Sequence, residues 1–332
     1  MPNPAGHPTA FLDRSRTAPL FGPIGLPPPF VGDAARPEDY VMDKTLEDAA
    51  NTALALGQPL LLTGDPGTGK TRFAHYLAWQ LGLGAPLEFH TKSSSVASDL
   101  FYTYDTVRRF HAAHIGSASV DERDYIHYNA LGLAVLLSLS PAATAHLRTP
   151  GDDALRAGPR RSVVLIDEID KASRDFPNDL LHELSTMTFR IPELNASIAA
   201  DPAYRPIVVV TSNRERPLPD AFLRRCVYHN IDYPDRQRLI DILCTRFGHE
   251  HGTPPPLVTS AVDLFKTLEP DLVRAPSTAE LVAWFSLVSR SEQDLGRRVQ
   301  DLGDRLQATV SALAKTADDR RVVARHLGLP TA

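Results

Sequence analysis

The 332-residue chain has few cysteines and no long apolar run. Cys226 and Cys244 are its only cysteines, too few for a disulfide framework and in keeping with a reducing cytosol. The longest apolar stretch, Leu131 to Leu139, is far shorter than the roughly 20 residues that span a bilayer. The first residues also lack a basic segment followed by an apolar core, so we expect no signal peptide. These absences predict a cytoplasmic protein that does not enter the membrane.

Neither sign of charge dominates the chain. Lys and Arg number 35 against 40 Asp and Glu, which gives a formal net charge of −5. The whole chain therefore lacks the electrostatic footprint of a nucleic-acid-binding protein, although a local basic patch stays open. The composition, 43% hydrophobic and 23% charged, is typical of a globular protein, and the length suits one large domain and a smaller one.

One glycine-rich stretch carries a specific chemistry. Residues 64–71 read GDPGTGKT, which is the pattern G-x-x-x-x-G-K-[ST]. In such a loop backbone N–H groups surround a phosphate, Lys70 reaches the β- and γ-phosphates, and Thr71 offers its hydroxyl to Mg²⁺. An apolar run at residues 58–63 predicts a strand before the loop, and helical spacing after it predicts a helix. The predicted nucleotide-binding residues are Gly64, Asp65, Pro66, Gly67, Thr68, Gly69, Lys70, Thr71 and Arg72.

Two further apolar runs end in polar side chains. The run Val163 to Ile166 is followed by Asp167 and Glu168, and the run Val208 to Val210 leads to Asn213. Ligands of open α/β sheets gather at the carboxyl ends of the strands. We therefore predict that Asp167 joins Thr71 in holding Mg²⁺ and that Glu168 polarises the attacking water as general base.

Asn213 would orient the same water or the γ-phosphate, so Lys70, Glu168 and Asn213 are candidate catalytic residues. The alternative is that Asp167, Glu168 and Asn213 are ordinary strand-end and turn residues.

The order of patterns predicts the fold class. Strands alternate with helices up to residue 233, which predicts an α/β domain with a parallel sheet and helices on both faces. The pattern after it is wholly helical and predicts a smaller all-helical lid domain. We assign residues 1–37 to a proline-rich arm, 38–233 to the nucleotide-binding domain and 234–332 to the lid.

Three local features can be predicted as well. Asp43 is placed to cap a helix that ends at Gly57. Residues 187–191 and 203–211 read as strands that flank a hairpin. Apolar residues at three- and four-residue steps between Leu295 and Leu313 form one stripe within the wholly helical pattern.

Taken together and in this order, the motifs resemble those of AAA+ ATPases. Residues 64–71 resemble the Walker A motif, 163–168 Walker B, 211–213 sensor 1, and 218–226 the segment that carries the arginine finger. The run before the loop and the helical segment after the sheet are most similar to the MoxR branch. The resemblance covers roughly residues 38 to 290.

This resemblance implies ATP with Mg²⁺, hydrolysis, and a homo-oligomeric ring, usually a hexamer, that remodels a protein. Partners of MoxR-like proteins often carry a von Willebrand factor A domain. The resemblance also implies Arg225, with Arg224 second, as the arginine finger that acts on a neighbour's γ-phosphate. The alternative is a surface basic pair.

The chain departs from this family at one position. MoxR relatives carry a lid arginine where Ala279 stands here, and Arg274 lies about one turn away. The missing lid arginine keeps a nucleotide-gated scaffold open as an alternative to a protein-remodelling ATPase. A nucleic-acid-directed motor also stays open, although the acidic balance of the chain disfavours it. A transporter-type ATPase is disfavoured because no LSGGQ signature is present, and a GTPase because no NKxD motif is present. Tyr102 and Tyr104 are candidates either for gripping a substrate chain or for the core.

Overall fold

The computed structural model describes residues 36–114, 121–149, 153–250, 252–289 and 291–327. Most of the proline-rich arm assigned to residues 1–37 thus lies outside the described residues. The chain forms two compact units. The sheet unit consists of Met42–Asp65 and Lys70–Asp232, and the helical unit of the described parts of Met1–Val41, Pro66–Gly69 and Tyr233–Ala332. None of the described helices is long and apolar enough to cross a membrane.

The sheet unit alternates strands and helices. Its strands are β1 Leu60–Thr63, β2 Leu87–His90, β3 Tyr102–Tyr104, β4 Ile126–Tyr128, β5 Val163–Asp167, β6 Thr188–Ile191, β7 Ala196–Ala199, β8 Ile207–Ser212 and β9 Val227–Asn230. Its helices are α1 Lys44–Leu56, α2 Lys70–Gln80, α3 Thr106–His114, α4 Ala130–Leu137, α5 Pro141–Thr144, α6 Phe176–Asp179, α7 Leu181–Thr186 and α8 Asp220–Leu223. Shorter 3₁₀ turns include Ile169–Lys171, directly after β5.

Five parallel strands form the main sheet in the order β2-β5-β8-β1-β9. The central strands β1, β5 and β8 are almost entirely buried, as their apolar sequences require of strands covered on both faces. The register pairs Thr63 with Ser212 and Ile166 with Val210. The carboxyl ends of these three strands therefore lie side by side. The predicted fold class is confirmed.

The first helix has the ends that its sequence predicts. The Asp43 carboxylate accepts a hydrogen bond of 2.7 Å from the Leu46 N–H, and Gly57 ends the helix in the left-handed conformation with φ of 63°. The hydrogen bond at Asp43 and the turn at Gly57 satisfy backbone groups that a helix leaves unpaired at its two termini.

Two antiparallel hairpins stand apart from the main sheet. The strands β3 and β4 form one, and β6 and β7 form the other. The expected strand over residues 203–211 is wrong at its start, because β6 pairs with Ala196–Ala199 and residues 202–204 form a 3₁₀ turn. Pro202 and Pro206 lack the N–H that a strand ladder uses, which explains why β8 begins only at Ile207.

The helical unit contains α9 Arg236–Phe247, α10 Pro256–Leu268, α11 Thr278–Val288, α12 Glu292–Leu295, α13 Asp304–Thr309 and α14 Ala317–His326. They enclose a separate core in which Trp284, Phe265 and Phe285 are fully buried. The apolar stripe between Leu295 and Leu313 contributes to this core, but it is carried by short helices and 3₁₀ turns rather than by one helix. Gly296 and Gly303 interrupt it, and Gly303 has φ of 49°.

Candidate functional site: a phosphate loop and two strand ends

The loop between β1 and α2 has the backbone that a phosphate cradle needs. Gly67 and Gly69 adopt φ of 78° and 96°, in the left-handed region that favours glycine. The loop leads directly into α2, whose first residue is Lys70. Backbone N–H groups at a helix N-terminus favour an anion. Arg72 lies in the same first turn of α2.

The Lys70 side chain lies inside this loop. It is only 6% exposed, and its Nζ donates hydrogen bonds of 2.9 Å to the carbonyl oxygens of Gly64 and Asp65. Burial lowers the pKa of Lys70, while the carboxylates of Asp167, Asp170, Asp65 and Glu168 oppose that shift. A partly desolvated ammonium that is held by two neutral carbonyls is well prepared to exchange them for phosphate oxygens.

Asp167 connects the ends of β5 and β8 to the first turn of α2. Its Oδ1 accepts hydrogen bonds from the hydroxyls of Thr71, at 3.0 Å, and Thr211, at 2.6 Å. Thr71 belongs to α2, Asp167 ends β5 and Thr211 lies near the end of β8. A hydroxyl and a carboxylate are hard oxygen donors of the kind that Mg²⁺ prefers. The residues predicted to hold magnesium, Thr71 and Asp167, are in direct contact.

Glu168 is held from both sides. Asn213 Nδ2 donates a hydrogen bond of 3.0 Å to Glu168 Oε1, and Lys171 Nζ forms an ion pair with Glu168 Oε2. The Glu168 backbone adopts a φ of 55°, and its N–H donates a hydrogen bond of 2.8 Å to Thr211 Oγ1. A non-glycine residue in this conformation is uncommon and needs surrounding contacts to hold it. The structure thus brings Glu168 and Asn213 together, as the sequence predicted for the two strand ends.

Asp170 reads from the sequence as part of a solvated helix start or as a contact to a neighbouring subunit, whereas the structure buries it. Its side chain is 3% exposed and accepts hydrogen bonds from the backbone N–H groups of Asn213, at 3.3 Å, and Glu215, at 2.9 Å. The carboxylate therefore fixes the loop that carries Asn213. The signal available in the sequence was its position three residues after Asp167, at a strand end where polar side chains meet.

Histidine 90 is a second residue that sequence reasoning missed. It ends β2 and pairs with Asp167 in the register of the sheet. Its Nδ1 lies 3.6 Å from Asp167 Oδ2, and its Nε2 lies 3.4 Å from Glu88 Oε2. The two oxygens of Asp167 thus face different neighbours, two threonine hydroxyls on one side and an imidazole on the other.

Other candidates lie elsewhere on the surfaces of the two units. Arg224 and Arg225 are exposed at the end of α8, and Arg225 Nη1 donates 3.0 Å to the Ala221 carbonyl. Ala279 is exposed in the first turn of α11, and Arg274 is exposed before it.

The two tyrosines of β3 are half-buried, and each hydroxyl is bonded to a carboxylate. The Tyr102 hydroxyl donates a hydrogen bond of 3.0 Å to Glu193 Oε2, and the Tyr104 hydroxyl donates one to Glu122. Both bonds tie β3 to a neighbouring turn of the same unit. The tyrosines therefore have a structural role within the hairpin.

A phosphate loop ahead of a helix, together with an aspartate and a glutamate at the end of another strand of the same parallel sheet, defines a P-loop nucleotide-binding protein. A family model described as AAA domain (dynein-related subfamily) matches residues 59–226. This match covers half of the chain, so the chain belongs to that family of AAA domains. Its members are ATP-hydrolysing P-loop NTPases that generally use ATP and Mg²⁺ and commonly assemble into oligomeric rings. No curated protein matches the chain.

Proposed function

We propose that this protein is a MoxR-like AAA+ ATPase that hydrolyses ATP to remodel or mature a protein partner, and that it works as a homo-oligomeric ring. The observation that carries the hydrolytic part is the contact of Asn213 with Glu168, beside the contact of Thr71 with Asp167. A general base, an amide that orients it and a pair of oxygen ligands for a cation then share one sheet edge. Hydrolysis of a phosphoanhydride needs this set of groups.

Each residue has a distinct part in this proposal. Lys70 exchanges its two carbonyl partners for the β- and γ-phosphates of ATP. Thr71 and Asp167 would hold Mg²⁺, which would supply positive charge against the phosphate oxygens. Glu168 accepts a proton from the attacking water, and Asn213 keeps the Glu168 carboxylate in position. Lys171 occupies the second oxygen of Glu168 in the structure, so one oxygen has to exchange a partner for water before the reaction.

The ring follows from the arginine finger. Arg225, or Arg224 next to it, is exposed and is proposed to reach the γ-phosphate held by a neighbouring subunit. An arginine supplied in trans stabilises the charge that spreads over the transferred phosphoryl group, so hydrolysis would depend on assembly. By the MoxR resemblance the ring is a hexamer, and the partner is a protein such as one with a von Willebrand factor A domain. The proposed domain limits are 38–233 for the ATPase domain and 234–332 for the lid, and the location is the cytoplasm.

Measuring the specific ATPase rate at a series of protein concentrations tests this proposal. The specific ATPase rate should rise with concentration in the wild type and fall at least a hundredfold in Glu168→Gln and Arg225→Ala, because each variant lacks one group that acts in the transition state. A mixture of the two variants should recover part of the rate, since one subunit supplies the base and its neighbour the arginine.

Arg320→Ala serves as a surface-charge control of the same residue type, because Arg320 is exposed and distant in sequence from both motifs. A rate that is independent of concentration and of Arg225 would contradict the ring. Binding of ATP without any hydrolysis would favour the nucleotide-gated scaffold instead, and a rate that rises with added DNA would favour a nucleic-acid motor.

A further inference from the structure

An ion pair joins the phosphate loop to the loop that follows β8. Arg214 Nη2 lies 3.1 Å from Asp65 Oδ1, across 149 residues of sequence. The two side chains are 51% and 62% exposed. Surface pairs of this kind contribute little to folding stability. The pair between Arg214 and Asp65 is therefore notable for its position at the phosphate loop and not for its contribution to stability.

Asp65 places an anion beside the predicted polyphosphate site. Its own carbonyl oxygen accepts the hydrogen bond from Lys70 Nζ, the group predicted to meet the β- and γ-phosphates. A carboxylate so close to a triphosphate repels it unless a cation compensates the charge. Arg214 supplies a cation at this position.

The Arg214 backbone is held in an unusual conformation. Its φ is 62°, and its N–H donates a hydrogen bond of 3.1 Å to Ser212 Oγ. The residues on either side, Asn213 and Glu215, donate their N–H groups to buried Asp170. A non-glycine residue stays in this region only where its surroundings determine it. The loop therefore presents the arginine to the phosphate loop from a fixed backbone.

The guanidinium also retains donors for a ligand. Arginine carries five N–H donors in a planar fork suited to phosphate oxygens. In the part of the chain that the structure describes, its side chain bonds to Asp65 through Nη2. We propose that Arg214 is an in-chain phosphate-binding residue, which compensates Asp65 without nucleotide and binds the terminal phosphate of ATP, so that the site distinguishes ATP from ADP. This inference rests on the proposed function, in that it takes ATP as the ligand.

Calorimetric titration with Mg²⁺ and either ADP or the β,γ-imido analogue of ATP tests the proposal without any need for turnover. In Arg214→Ala the affinity for the imido analogue should fall about tenfold, the effect of one lost charge-assisted bond, and the affinity for ADP less than about threefold. Arg214→Lys keeps the positive charge and should remain within about threefold of the wild type for both nucleotides.

Asp65 provides the second arm of the experiment. The double variant Asp65→Asn/Arg214→Ala should bind the imido analogue more tightly than Arg214→Ala alone, because the repelling carboxylate is removed together with the cation that compensated it. Arg216→Ala is the matched control, since it removes a positive charge two residues away whose guanidinium donates to the Ala172 carbonyl. It should change neither affinity by more than about twofold.

Equal losses for both nucleotides in Arg214→Ala, or a double variant that binds no more tightly than Arg214→Ala, would overturn this inference. Thermal unfolding of each variant separates such a result from a folding defect. A wild-type protein that binds neither nucleotide would overturn the proposed function as well. A wild type that hydrolyses ATP, with an Arg214→Ala variant that binds like it, would overturn this inference alone.

Discussion

The buried carboxylate of Asp170 offers a direct test of how the site is held together. Two backbone N–H groups, those of Asn213 and Glu215, depend on it. In Asp170→Ala both lose their acceptor. A buried donor left unsatisfied costs about 1–3 kcal/mol. Because Glu215 is exposed and water can reach its N–H, we take the lower end for that group.

The expected loss for Asp170→Ala is therefore about 2–4 kcal/mol in the free energy of unfolding of the sheet unit. For a unit of this size, 1 kcal/mol corresponds to a shift of about 2–4 °C, so the Tm should fall by about 4–16 °C. Asp170→Asn keeps one acceptor oxygen and places an NH₂ group against the other N–H. It should lose about half as much.

Urea unfolding followed by circular dichroism measures the loss, and Asp175→Ala is the control. Asp175 is an exposed neighbour that forms no side-chain cap on α6, so its removal should change stability by less than about 0.5 kcal/mol. In Asp170→Ala kcat should also fall more than nucleotide affinity does, because Asn213 loses its fixed position beside Glu168. An Asp170→Ala protein that unfolds at the same urea concentration as the wild type would refute the reasoning.

Two further predictions concern the frame around the site. Asp43→Ala removes the cap of α1 and should lower the free energy of unfolding in urea by about 1 kcal/mol. Asp48→Ala, at an exposed position of the same helix, is the control. Equal effects of the two variants would contradict the capping role. Burial raises the pKa of the Cys226 thiol to about 12, so at pH 8.5 the folded protein should hold it protonated and alkylation by iodoacetamide should be slow. Unfolding should return the pKa toward about 8.5 and accelerate alkylation at Cys226, as peptide mass spectrometry would show, whereas equal rates in both states would disprove the burial.

The local chemistry of the phosphate loop could be predicted from neighbouring residues alone. Glycines at fixed spacing, then Lys70 and Thr71 at the start of a helix, form a contiguous pattern whose backbone requirements are local. The cap at Asp43 and the buried strands could be predicted for the same reason. Asp167, Glu168 and Asn213 were found by one general rule, that the carboxyl ends of parallel strands share an edge.

Local patterns were misleading where backbone breaks interrupted them. The apolar steps between Leu295 and Leu313 have helical spacing, but Gly296 and Gly303 interrupt the helix while the apolar residues still meet one core. Similarly, the strand expected to begin at residue 203 starts only after Pro206. Periodicity reports which residues are buried more reliably than it reports the element that buries them.

Only the tertiary structure decided which polar groups meet. Thr211 and Asp167 are 44 residues apart, Asn213 and Asp170 are 43 apart, and Arg214 and Asp65 are 149 apart. Their contacts follow from the parallel register of β1, β5 and β8, which aligns strand ends that are distant in sequence. Because that register results from burial of many apolar side chains at once, no single motif reveals it. The sequence by itself thus determined the chemistry available to the site, and the sheet determined which groups can act together.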